Sequence, residues 1–180
     1  MLNLILISIY FALPAIVSNT VPACVKKLKI FNKPIDGGVK WYGKRVFGSH
    51  KTWRGLFFGT LSAIVVIAIQ HWFYQYNIFR QISYINYETA NIWLIGFLLG
   101  FGALLGDAVK SFFKRRVGVR SGGRFFPWDQ IDFVIGAGLL VSLVAPLTWQ
   151  MWLVYIIMSL IFHPLINMFA YRVGLKEVPW

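Results

Sequence analysis

Three of the six acidic residues in this 180-residue chain stand close together: Asp107, Asp129 and Asp132. Between them run Lys110, Lys114, Arg115, Arg116, Arg120 and Arg124, interrupted by Gly118, Gly122 and Gly123. On a helix, Asp107, Lys110, Ser111 and Lys114 share one face at i, i+3, i+4 and i+7. Pro127, Asp129 and Asp132 then open the next apolar segment. Carboxylates beside a Lys/Arg run suit a divalent cation bridged to a polyphosphate. Mg2+ prefers one or two carboxylates together with phosphate oxygens, and guanidinium forks match phosphate oxygens bidentately. Asp107 and Asp132 border apolar runs, where a carboxylate is costly unless it is paired or holds a metal. Plainer roles stay open. Asp129 and Asp132 suit a helix N-cap and capping box, Asp107 suits an ion pair with Lys110 or Lys114, and the basic run suits anionic lipid.

A second constellation runs from Asp36-Gly37-Gly38 through Gly48-Ser49-His50-Lys51-Thr52-Trp53-Arg54-Gly55. Its glycines, hydroxyls and cations could cradle phosphate through backbone N–H groups and side chains, or serve only as a basic loop beside the membrane. The P-loop spacing GxxxxGK[ST] is absent. His50, Lys51, Thr52 and Arg54, with Arg116 and Arg120, are the candidate nucleotide contacts, and the 37–54 loop is the candidate reader of the base. His71 and His163 read as interfacial or packing residues, and no His/Cys set has zinc spacing. Asn19, between Pro14 and Pro22, marks either a broken helix lining a polar cavity or a kink satisfied by neighbouring helices.

The elements that must position these groups follow from composition. Hydrophobic residues make up 58% of the chain and charged residues 13%, and the mean hydropathy is +0.64. A soluble domain carries about 25% charged residues, so a soluble globular protein is excluded. The 18% aromatic content excludes disorder, and the lone Cys24 excludes a disulfide scaffold. The expectation is an all-α integral membrane protein forming a single domain over residues 1–180.

Five spans of about 20 apolar residues each are predicted, near 2–25, 55–73, 92–113, 131–148 and 151–171, with polar loops near 26–54 and 114–130. Phe133 to Tyr171 lacks Asp, Glu, Lys and Arg and is too long for one crossing, so it is divided near Pro146. No basic residue precedes Lys26, so the first segment reads as a retained span rather than a signal peptide. Five alternating spans put 17 of the 18 Lys and Arg residues on one side. By the positive-inside rule the N-terminus lies outside and the C-terminus in the cytosol. The pairs Gly96/Gly100 and Gly102/Gly106 have the small-residue spacing of closely packed membrane helices. Trp72, Trp93, Trp149 and Trp152 fall near span ends, as an interfacial belt would.

Gly106-Asp107, Ser111, Lys114-Arg115, Gly118, Pro127, Asp129 and Asp132 resemble the signature of the CDP-diacylglycerol synthase superfamily of membrane cytidylyltransferases. The archaeal branch, the CDP-archaeol synthases, is the most similar. That likeness rests on Leu13-Pro14-Ala15, Asn19, Pro22, the 36–55 segment and the ending Gly174-Leu175-Lys176-Glu177-Val178-Pro179-Trp180. A Lys-Asp pair of the diacylglycerol branch is here Arg120-Ser121, and its His-Gly-Gly stretch is missing before Asp129. The resemblance implies transfer of CMP from CTP to 2,3-bis-O-(geranylgeranyl)-sn-glycerol 1-phosphate, an ether lipid phosphate. It implies Mg2+ held by Asp107, Asp129 and Asp132, and phosphate contacts from Ser111, Lys114 and Arg115 with Lys110 beside them. The bilayer is a further implied partner; no nucleic acid and no obligate protein partner is expected. A CDP-alcohol phosphotransferase does not fit, because Asp36-Gly37 continues as Gly38-Val39-Lys40-Trp41. The alternative is a non-enzymatic transporter or a scaffold that binds anionic lipid.

Overall fold

The computed structural model describes residues 2–119 and 123–174. Arg120, Ser121, Gly122 and the segment from Leu175 onward, all singled out above, lie outside the described residues. The chain is mostly helical: α1 (Leu2–Cys24), α2 (Trp53–Phe73), α3 (Asn77–Gln81), α4 (Ile92–Arg116), α5 (Trp128–Val141) and α6 (Trp149–Arg172). A short 3-10 turn, Val25–Lys27, extends α1. Two short strands, β1 (Lys40–Trp41) and β2 (Lys44–Arg45), pair antiparallel with Lys40 opposite Arg45.

Among the described residues, four helices are long and apolar enough to cross a membrane: α1 with its extension, α2, α4 and α6. The fourth of the five expected spans differs. Its 131–148 segment forms the 14-residue α5 and a turn, and 14 residues rise only ~21 Å against a hydrocarbon core of about 30 Å. An uncharged stretch reports apolar length but not helical length. Here Pro146, which has no N–H for a helix, lies in the non-helical residues between α5 and α6.

The polar segments gather at two ends. Lys44 Nζ donates to the Arg116 carbonyl at 3.2 Å, so the 26–52 segment meets the end of α4. Tyr84 Oη donates to the Pro146 carbonyl, joining the 74–91 segment to the turn after α5. The sparsely charged segments thus share one end, and the basic ones share the other.

α4 packs on α1, α2 and α5 and is the central helix. Half of its apolar window is buried, against 22% in α2 and α6. Its glycines explain this. A methyl group at Gly96 would meet Ile67 at 2.6 Å, and one at Gly100 would meet Ala63 at 2.6 Å, both on α2. Gly102 faces α5 instead, where a methyl group would meet the Gly136 carbonyl oxygen at 2.6 Å. At Gly106 it would collide with the Asp132 carbonyl oxygen. The two glycine pairs therefore serve two neighbours, one on each side of α4. Ser18 Oγ donates to the Gly100 carbonyl at 3.0 Å and ties α1 to the same helix. α1 runs helical through both Pro14 and Pro22, so the helix is not broken there, while Asn19 does line a polar cavity.

The core contains Phe11, Ala15, Ile67, Leu99, Ala103 and Val141. Phe57, Leu61, Val65 and Ile69, four residues apart on α2, point outward. In a bilayer that exposed stripe faces lipid, where apolar side chains carry no penalty.

Gly106→Ala should therefore lower the unfolding midpoint of the detergent-solubilised protein by the equivalent of about 1–3 kcal/mol. Leu61→Ala, on the outward stripe, should leave it near the parent value. Equal effects in thermal unfolding would refute close α4–α5 approach.

Candidate active site

Asp107 and Lys110 lie on the last three turns of α4, and Asp129 and Asp132 on the first turns of α5. The glycine contacts of α4 with α5 bring those ends together. Lys110 Nζ stands 2.9 Å from Asp107 Oδ1, 3.1 Å from Asp129 Oδ1 and 2.8 Å from Asp132 Oδ2. Lys51, just before α2, pairs with Asp107 Oδ2. Lys114 Nζ donates to both Asp129 oxygens, at 2.8 and 3.1 Å. Ser111 Oγ donates to the Asp107 carbonyl at 2.8 Å. Asp107 thus pairs with Lys110, while Lys114 reaches across to α5.

The capping alternative fails on geometry. Pro127 occupies the N-cap position of α5. The Asp129 carboxylate instead accepts from the Phe125 N–H at 2.6 Å, and Asp132 Oδ1 accepts from the Phe133 N–H at 2.8 Å. Asp132 Oδ2 is paired with the Lys110 ammonium at 2.8 Å.

These groups line a polar basin of 790 Å³, together with Lys26, Asn32, Phe47 to Thr52, Arg54, Ser111, Arg115 and Gly123. His50 is exposed at its edge. Several expected nucleotide contacts are already committed. Thr52 is the N-cap of α2, its hydroxyl accepting from the Gly55 N–H at 3.2 Å. Arg54 is buried and donates to the Leu28 carbonyl. Arg116 donates to the Trp41 carbonyl at 2.5 Å and the Arg45 carbonyl at 2.9 Å, and lies over the Trp41 and Phe112 rings. It clasps the hairpin to α4, and no basin contact is left for it. Arg120 lies outside the described residues.

Asp36 takes up part of the segment read as a phosphate cradle. Its own carboxylate takes the place of an anion. Oδ1 accepts from the Gly38 N–H at 3.0 Å and from Arg45 at 2.8 Å. Oδ2 accepts from the Phe47 and Gly48 N–H groups at 3.2 and 3.1 Å. Gly38 and Gly48, at φ +86° and +109°, adopt backbone that side-chain-bearing residues rarely take. Burial favours the neutral acid, but the Gly38 and Gly48 N–H groups, Arg45 and the Phe47 N–H outweigh it and hold Asp36 at about 2.

A second cavity, 310 Å³ and mostly apolar, lies among α1, α5 and α6, lined by Ala12, Ile16, Phe133, Val154, Met158 and Phe162. Asn19, Ala23, His163 and Asn167 border both cavities, so groove and basin adjoin. Asn167 Nδ2 lies 3.2 Å from His163 Nδ1, and His163 stacks on Phe133. Sequence reasoning missed His163 and Asn167 as site residues. Their signal was polarity inside an otherwise apolar span, which lipid does not tolerate without a partner.

By its chemistry the donor set suits a divalent cation: three carboxylates meet at the Lys110 ammonium, and their oxygens are of the hard type that Mg2+ prefers. Among the described residues, no group of three acidic, His or Cys side chains is arranged around a metal position.

Long apolar helices around a charged basin, with an apolar groove beside it, define a multi-pass membrane protein. Residues 1–180 match the family described as "CarS-like: CDP-archaeol synthase", and the chain belongs to that family. The CDP-archaeol synthase of Methanocaldococcus jannaschii is 36% identical over 99% of this chain and 98% of its own. That of Methanococcus aeolicus is 34% identical over 98% and 97%. A solved structure described as "Structural insight into an intramembrane enzyme for archaeal membrane lipids biosynthesis" superposes with TM-score 0.72 at 25% identity. The match covers 89% of this chain and 92% of that one.

The lowered Asp36 value fixes a sign. Its contribution to holding the 36–48 loop is complete above the ordinary value of 3.8 and is lost as pH falls toward about 2. Amide exchange at Gly38 and Gly48 should accelerate across that window beyond the intrinsic pH dependence. Asp36→Asn should be faster at neutral pH and lack this added acid step. An unchanged Asp36→Asn profile at neutral pH would remove the hub role.

Proposed function

We propose that the chain transfers CMP from CTP to 2,3-bis-O-(geranylgeranyl)-sn-glycerol 1-phosphate, yielding CDP-archaeol and pyrophosphate. The observation that carries this reading is the junction of the two cavities. A charged basin suited to a triphosphate opens beside an apolar groove suited to a lipid chain, and Asn19, His163 and Asn167 stand between them. The family membership supports the same chemistry. The excess of Lys and Arg around the basin supports a cytosolic site in the cell membrane.

A lipid phosphate oxygen attacks the α-phosphorus of CTP. The new P–O bond forms as the bond to the β-phosphate oxygen breaks, and pyrophosphate leaves with that electron pair. The second pKa of a phosphate monoester is about 6, so the nucleophile is already ionised near neutral pH and no strong general base is required. The chain must instead bring two anions together and hold them in line. Lys51, Lys110, Lys114 and Arg115 border the basin and neutralise phosphate oxygens. Asp107, Asp129 and Asp132 would hold Mg2+, which when bound supplies Lewis-acid charge neutralisation at phosphate oxygens. Ser111 lines the basin, with its hydroxyl donating to the Asp107 carbonyl. Asp36 and Arg116 position the loop that carries His50 and Lys51. Base recognition falls to the 47–52 stretch, the part of the expected loop that lines the basin.

Asp107→Asn and Asp129→Asn should each lower product formation by about 100-fold or more while leaving detergent-extracted protein folded. Retained turnover in both would remove the site. Met158→Trp, which fills the groove, should raise KM for the lipid and leave KM for CTP unchanged. The decisive assay offers CTP, dCTP, ATP and GTP with ether-linked or ester-linked lipid phosphates. No CMP transfer to any lipid would overturn the reading in favour of a scaffold.

A further inference from the structure

Lys110 is the feature of the site that the reaction does not by itself explain. Its ammonium sits between three carboxylates, each within 3.1 Å. Its side chain is only 13% exposed. The neighbouring lysines are less shared: Lys51 pairs with Asp107 and Lys114 with Asp129. Three carboxylates thus face three ammoniums before any ligand arrives. A divalent ion added to such a cluster meets oxygens that are already engaged.

We infer that Lys110 is a tethered counter-cation that occupies the divalent-metal position in the resting protein, so that a metal ion enters by exchange with its ammonium. The inference rests on the proposed metal role of the three aspartates and adds how that site is kept at rest.

The packing supports exchange over a permanent ion pair. One ammonium is shared among three carboxylates, so none of them holds it alone. A lysine is also suited to leaving. Its ammonium is a compact charge on a flexible four-carbon stem, and the 790 Å³ basin beside it gives that stem room. Once displaced, the ammonium lies among the groups that meet phosphate. Metal and polyphosphate then favour each other's binding, and the coupling is reciprocal. At rest, Lys110 keeps three like charges from repelling one another at the edge of an apolar bundle.

The test uses the full chain in detergent and Mn2+ alone, without nucleotide or lipid, with free Mn2+ counted by electron paramagnetic resonance. Lys110→Gln should bind Mn2+ at least about tenfold more tightly than the parent. Lys51→Gln, which releases only Asp107, should show a smaller gain. The parent supplies an independent readout. Acetylation of Lys110, followed by mass spectrometry, should be slow at rest and rise several-fold once Mn2+ is saturating. This second measurement decides the matter if Lys110→Gln does not fold. Equal or weaker Mn2+ binding by a folded Lys110→Gln, or Lys110 labelling that ignores Mn2+, would overturn the exchange. Failure of the parent to transfer CMP would overturn the proposed reaction and leave the exchange standing.

Discussion

Carboxylates at the rim of an apolar bundle persist only where cations meet them, because an unpaired charge in a low-dielectric surrounding is expensive. That constraint organises this end of the molecule. Asp107 comes from α4, and Asp129 and Asp132 from α5, and Lys110 faces all three. The convergence needs two helix ends within side-chain reach, and glycine supplies it. Gly102 and Gly106 pack directly against the α5 backbone at Gly136 and Asp132. A side chain there would push α5 away and separate the acids from their cations. Packing and electrostatics are therefore one design feature, since the residues that let the helices touch sit within about one and a half turns of the charges.

The loop before α2 solves a different problem. It must present Lys51 and His50 to the basin although its apolar side chains are exposed or only half-buried. Asp36 acts as an internal anion for two backbone N–H groups at Gly38 and Gly48, another at Phe47, and the Arg45 guanidinium. Arg116 then clamps the hairpin to the end of α4 through backbone carbonyls. Both interactions use charge for position rather than for ligand contact. They explain why a segment rich in glycine and cations need not offer all of them to a substrate.

Two solvents meet at the site. The basin is wide and charged, while the groove among α1, α5 and α6 is narrow and apolar. Asn19, His163 and Asn167 stand at the boundary. An amphiphile with an anionic head and an oily tail can satisfy both without either part being stripped of a suitable surrounding. A soluble anion would leave the groove unused, and a neutral lipid would leave the basin unused.

Composition determined the membrane class, since so few charges cannot cover a soluble surface. Residue type and spacing also made legible the acidic-basic cluster of 107–132, the close packing at Gly96 to Gly106, and the shared end of the basic segments. These are properties of neighbours in the chain or of bulk burial, which a one-dimensional pattern carries. The shortness of α5 was not legible, because an uncharged run of residues does not state where its helix stops. Nor was the use of Arg116, Thr52 and Asp36, because a cation, a hydroxyl or an acid looks the same in sequence whether it meets a ligand or the protein's own backbone. The pairing of Lys110 with Asp129 and Asp132, and of Lys51 with Asp107, joins residues on separate elements. Only the packing of α4 against α5 and the course of the 26–52 segment brought those charges within reach, and so decided which of them neutralises which.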